Sequence, residues 1–211
     1  MRGLLAASFV IPAALAAQQN SPPSAPVNLS RADEIQYARS AAPADVSKNA
    51  TVWVLESGHY VVAVKGTSGM ACAVTREHPK SLVPICGDAE ADSTVMAVAR
   101  FETEERLAGK SPAAIKSDVS SGLASGRFRL PRRPALTYMT SSAQVITDPN
   151  GGHPTRFLPH LMLFYPNMQA QGMGIVESNS MDIPLLDEGG TPMSRLVIVV
   201  RDWTEPAKPG Q

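Results

Sequence analysis

Residues 50–65 read ATVWVLESGHYVVAVK, and no other stretch of the chain restricts its fold so strongly. Two runs rich in β-branched residues, Thr51–Leu55 and Tyr60–Lys65, flank Glu56-Ser57-Gly58-His59. That pattern predicts a β-hairpin with a glycine in its turn. Gly66-Thr67-Ser68-Gly69 then leads directly into MACAVTR, a third strand. Connections this short leave no room for a crossover helix, so the expected arrangement is an antiparallel meander. Gly66 and Gly69 are expected to supply positive φ. Ser68 lacks both the spacing of a nucleophile elbow and an assignable base.

Helix signals precede and follow these strands. Ser30 with Asp33 three residues on forms a capping box that starts RADEIQYARSAA, with Ile35, Ala38 and Ala42 on one side and Pro43 as the stop. Asp92 or Ser93 is expected to cap a helix through TVMAVARFETEERLA to Gly109. Ser111-Pro112 opens another, with Ile115, Val119 and Leu123 on one face and Gly126 at its end. Three further strands are expected at LTYMTS, HLMLFY and SRLVIVVRD, the last two separated by an irregular Gly/Met/Asn stretch. Strands at both ends with helices before and between them predict an α+β fold. The expectation is one domain over residues 30–204, a mainly antiparallel sheet with N-terminal and central helices packed on it.

The N-terminus, MRGLLAASFVIPAALAAQQN, places Arg2 before an apolar segment from Gly3 to Leu15 and an Ala14-Leu15-Ala16 cleavage pattern. This is the layout of a secretory signal peptide over residues 1–16. It is too short for the ~20 apolar residues of a membrane span. No later segment reaches that length, so the mature chain is expected to be exported to the periplasm or beyond, with no membrane span. Residues 17–29, rich in Pro, Ser and Asn, read as a flexible leader, and 205–211 as a disordered tail.

Compartment decides how the cysteines are read. Cys72 and Cys86 form an even pair in an oxidising environment and predict a disulfide. A reactive thiol or thiolate metal site is the alternative, but the spacing is not the C-x-x-C of thiol oxidoreductases. With 19 basic and 19 acidic residues the formal charge is zero, and the basic patch of a nucleic-acid-binding protein is missing.

No G-x-S-x-G, H-E-x-x-H, P-loop or dinucleotide fingerprint occurs. Asp187-Glu188 and Glu104-Glu105 read as solvated turns or helix faces. His59 is expected in the hairpin turn and His78 in the disulfide loop, both exposed. His153 and His160 flank a loop, and Asp88 just after Cys86 offers a third ligand. Met162, Met168, Met173 and Met181 lie nearby, and thioether with imidazole suits cuprous copper. Methionine equally fills irregular cores. Pro159 cannot donate to a sheet ladder, so His160 is expected to open its strand, with Met162 and Phe164 on its face and Leu161, Leu163 and Tyr165 on the other.

Several segments taken in order, from ARSAAPADVSKNATVWVLESGHYVVAVKGTSGMACAV through PICGDAEA, LAGKSPAAI, ASGRFRLP, YMTSS and PHLMLFYP to VIVVRDW, resemble a family of uncharacterised exported bacterial proteins. The G-T-x-G-x-x-C turn, P-x-C-x-D around Asp88 and P-H-L-M at 159–162 carry the resemblance. Members often have a further histidine before the proline of the last motif, where this chain has Leu158. That departure weakens a metal cluster here. The resemblance implies export and one domain and supplies no activity. Together these features lead to an exported, non-catalytic module that binds a small molecule or an envelope protein, with no cofactor. His160, His153 and Asp88 are its candidate binding residues. The rival is a metal-binding protein or metal-dependent hydrolase using the same three residues, with Met162 as a further ligand.

Overall fold

The computed structural model describes residues 28–78, 80–146, 156–171, 173–175, 180 and 182–207. The expected signal peptide, the leader up to residue 27, His153, Met181 and the last four residues lie outside the described residues. The chain is a single α+β domain. Eight strands form one mixed sheet in the order β2-β1-β3-β4-β5-β6-β8-β7.

The expected hairpin is there: β1 (Thr51–Glu56) pairs antiparallel with β2 (His59–Val64). Its two turn residues, Ser57 and Gly58, both have positive φ, 51° and 86°. That backbone matches the right-handed twist of the flanking strands.

The meander is not formed. β3 (Ala71–Thr75) passes β2 and pairs with β1, in parallel, through Thr51–Ala71 and Val52–Cys72. The chain achieves this by crossing hard against the start of β1. A Cβ on Gly66 would lie 2.2 Å from Thr51 N and 2.5 Å from Asn49 O, so only glycine fits the crossing. Thr67 N, Ser68 N and Ser68 Oγ all donate to the Asn49 carbonyl, at 2.9, 3.2 and 3.1 Å, and Thr51 N donates to Met70 O. Gly66 therefore serves close approach and not positive φ, which only Gly69 adopts, at 75°. Ser68 is occupied in holding this crossing.

The remaining pairings between these strands are antiparallel. β4 (Val83–Gly87) lies between β3 and β5 (Ala135–Met139), and β6 (His160–Phe164) between β5 and β8 (Arg195–Val199). β7 (Leu185–Asp187) closes the edge, inside the stretch expected to be irregular. Cys72 stands directly opposite Cys86 across β3 and β4, and the expected disulfide joins them with both residues fully buried. In the chain-entropy model this 14-residue separation stabilises the fold by roughly 3 kcal/mol.

Helix α1 (Arg31–Arg39) starts at Ser30, whose hydroxyl accepts Asp33 N–H at 3.1 Å, as the capping pattern predicts. It ends three residues before Ala42 and is followed by the single turn α2 (Ala44–Ser47). Ala38, Ala41 and Ala42 are wholly buried against Val52, Val54, Cys72 and Cys86. Small side chains let the segment lie close on the sheet.

One turn inward, Glu34 forms a bidentate pair with Arg76 at 3.1 and 3.0 Å, both side chains only 2% exposed. Glu34 Oε1 also accepts Leu55 N–H, and Arg76 donates to Val74 O. Nearby, Tyr60 donates to the same Val74 carbonyl, and burial pushes its hydroxyl up to about 12.

The opposite face carries α3 (Ala89–Ser93), α4 (Val95–Leu107) and α5 (Pro112–Ala124). The helix expected from Asp92 or Ser93 is α4, with Thr94 at its N-cap position, and a short helix capped by Asp88, α3, precedes it. Thr94, at φ −126° and ψ −95°, then breaks the run into α3 and α4. α5 starts where Ser111-Pro112 predicts, with Ser111 Oγ accepting Ala114 N–H at 3.3 Å.

Candidate functional site

The strand expected from Pro159 onward is β6, and its register positions the site. Pro159 has no N–H for the ladder, but its carbonyl accepts Val200 N–H at 2.8 Å. His160, the first strand residue, lies between Met139 on β5 and Val199 on β8. Strand periodicity carries His160, Met162 and Phe164 to the face covered by α4 and α5. That side is not filled. Between sheet and helices runs a groove of about 960 Å³, floored by residues such as Ile85, Met139, Met162 and Val197 and walled by Val98 and Val119. Ile115 and Leu123, on the same apolar side of α5, line it too.

His160 is the most buried polar group of that floor, at 6% exposure. Its Nδ1 lies 2.7 Å from the Leu158 carbonyl oxygen. A carbonyl can only accept, so the hydrogen sits on Nδ1 and Nε2 is a bare lone pair. Nε2 has no partner among the described residues. Burial drives the imidazole below its ordinary pKa, the bond to the Leu158 carbonyl opposes this, and the Arg195 charge adds to the lowering. The ring is therefore neutral at pH 7. Phe157 stands edge-on to it with ring centroids 6.2 Å apart.

Phe157 and Leu158 form an apolar lip, 57% and 48% exposed. Buried Gln144 fixes this lip by accepting Phe157 N–H at 3.1 Å.

The groove carries charge of both signs. Arg195 pairs with Asp187 across the β7–β8 hairpin and lies 3.6 Å from Glu188, so the adjacent acids expected to be solvated have a cationic partner. Glu102 on α4 is raised above the usual carboxylate range, first by burial, with Arg106 pulling it down and Glu77 and Glu188 raising it further.

Of the three candidate residues, Asp88 and His160 are described, and they stand on different elements, Asp88 at the N-cap of α3 and His160 at the start of β6. Asp88 is consumed as a cap: Oδ1 accepts Ala91 N–H at 2.7 Å and Oδ2 accepts Leu136 N–H at 3.3 Å. Its level on β5 is Leu136, whereas His160 stands opposite Met139 and one strand further on. Three residues of strand alone separate them by ~10 Å at ~3.4 Å per residue. Both carboxylate oxygens of Asp88 are engaged by backbone N–H groups.

His153 lies outside the described residues. Met162 is a groove floor residue, while Met173 is exposed. Among the described residues no group of three or more His, Cys, Asp or Glu could hold a metal ion. His59 is exposed and 3.5 Å from Glu104, and His78 is half-buried, not exposed.

Sequence reasoning singled out His160 and the apolar side of α5 but missed Glu102, Arg195 and the lip. The signal available for Arg195 was the pair of acids before Gly189-Gly190, a turn sequence that returns the chain past them. No protein-family model, curated protein or solved structure matches this chain.

Proposed function

We propose that this is an exported, disulfide-stapled binding domain that holds a small apolar molecule in the groove between the sheet and helices α4 and α5, without transforming it. The observation that carries this is the groove itself. Its volume lies at the upper end of the ~300–1,000 Å³ common for small-molecule sites, and its lining is mostly apolar, with charged side chains of both signs among it. A concave site of this kind suits a small molecule better than a protein surface. The buried disulfide fits an oxidising compartment. Among the described residues no helix is long and apolar enough to cross a membrane. A metal-dependent hydrolase gains no support, since both oxygens of Asp88 are engaged by backbone N–H groups.

Titration of the purified protein with the neutral fluorophore N-phenyl-1-naphthylamine tests the proposal. Saturable binding at one per chain is expected, and Met162→Asp should weaken it by roughly tenfold or more by placing a charge on an apolar floor. Leu163→Asp, on the other face of β6, should leave it within about threefold if the fold survives. Circular dichroism checks folding of both variants. No saturable binding to the folded wild-type protein, or equal binding by a folded Met162→Asp variant, overturns the proposal.

A further inference from the structure

Resting on the groove as a ligand site, we infer that its ligand is a neutral amphiphile whose polar head donates a hydrogen bond to Nε2 of His160, such as an alcohol or an N–H-bearing amide on an apolar body, and not a fatty carboxylate. Three features lead there. First, His160 is 94% buried by its 6% exposure, yet Nε2 has no partner among the described residues although the ring lines the groove. Nε2 is not among the enclosed unpartnered atoms, so it opens onto the groove, and a ligand that displaces water from it must bring a donor, because an acceptor buried without one costs about 1–3 kcal/mol.

Second, the Leu158 carbonyl fixes the tautomer. With Nδ1–H committed at 2.7 Å, Nε2 can accept and cannot donate while the ring is neutral. A carboxylate brings only acceptor oxygens and would face a lone pair. Third, the groove has no positive excess to draw an anion in: its lining carries four carboxylates and three basic side chains. The cation nearest this purpose, Arg195, is already paired with Asp187 and Glu188. The apolar remainder of the ligand then extends over Met162 and Val197, under α4 and α5.

Displacement of bound N-phenyl-1-naphthylamine at pH 8 by three probes of equal chain length isolates the head group. 1-Decanol donates and accepts, decyl methyl ether only accepts, and decanoate is an anionic acceptor. Decanol should displace the dye at about tenfold lower concentration than either of the others, the scale of one hydrogen bond to a buried group. His160→Phe, which keeps an apolar ring, should erase that preference, with circular dichroism checking that the variant is folded.

A measurement on the wild-type protein stands even if that variant misfolds. The ¹⁵N resonance of His160 Nε2 should move to lower shift on adding decanol and stay in place with the ether. Equal displacement by all three probes, a preference for decanoate, an unmoved Nε2 resonance, or a preference that survives in folded His160→Phe each overturns the inference while leaving the groove intact. Failure of the dye to bind the wild-type protein instead removes the groove proposal, and this inference with it.

Discussion

The two halves of the sheet are built from similar aliphatic strands but end in opposite states. In β3 and β4 every residue is buried. α1 seals one face, α3 and α4 the other, and the disulfide and the Glu34–Arg76 pair lock the junction. In β8 every residue is only half-buried, and β6 is fully buried only at His160 and Phe164. The side chains differ little: Val83 and Ile85 in one half, Val197 and Ile198 in the other. What differs is the cover. α3 and the start of α4 pack on the sealed half, whereas α5, which packs on α4, leaves a groove that runs over β6 and β8 and reaches Val83 and Ile85 of β4. Half of the sheet is sealed on both faces, and the other half keeps an apolar face partly open.

Removing the carboxylate from the sealed half should give the largest effect. Glu34→Ala leaves Arg76 charged and buried, and should cost about 3–5 kcal/mol in urea denaturation. The double variant Glu34→Leu/Arg76→Met should recover most of that, because the loss comes from the unpaired charge and not from the absent bond.

Next, Cys72→Ala/Cys86→Ala should cost roughly 3 kcal/mol, with loss of a buried cross-strand link adding to the chain-entropy term. Mass spectrometry of the intact protein should show two hydrogens gained on reduction, and two freely alkylated thiols without reductant would contradict the bond.

The open half should be more tolerant: Val197→Ala on half-buried β8 should cost about 1 kcal/mol, well below the same change at buried Val83. Equal losses at the two sites would break the contrast.

The smallest expected effect is a pH dependence at His160. Burial lowers its pKa in the folded state below the value near 6.5 that it has unfolded. The unfolded chain therefore takes up this proton first as pH falls. His160's contribution is complete above about pH 6.5 and is lost as pH drops through that value to the lowered folded one. Denaturation midpoints at pH 7.5 and 5.0 should converge in His160→Phe relative to the wild-type protein; an unchanged difference would contradict the assignment.

How much of this was legible in the sequence follows the range over which each feature is decided. The hairpin, the Ser30 and Ser111 caps and the start of β6 at Pro159-His160 are written within a few residues, and each is where the sequence places it. The partner of β3 is not local. It depends on Gly66 slipping past the start of β1, and a G-T-S-G turn looks the same whether the next strand pairs with β2 or β1. Glu34 and Arg76 are 42 residues apart, so nothing near either reveals a buried pair. β7, at three residues, is too short to show a period. Asp88 looked like a ligand because it is acidic and follows a cysteine. The same features make it a good cap where β4 gives way to α3. The groove belongs to no segment: it arises where β4, β6, β8, α4 and α5 come together.

Hydrogen–deuterium exchange with and without N-phenyl-1-naphthylamine tests the division most directly. In the free protein, amides of β3 and β4 should exchange only with global unfolding, and those of β7 and β8 through smaller openings. Added probe should slow exchange in β6, β8, α4 and α5 and leave β1 and β2 unchanged. Protection gained evenly over the sheet, or confined to the β1–β2 edge, would contradict a molecule divided into a sealed half and a binding half.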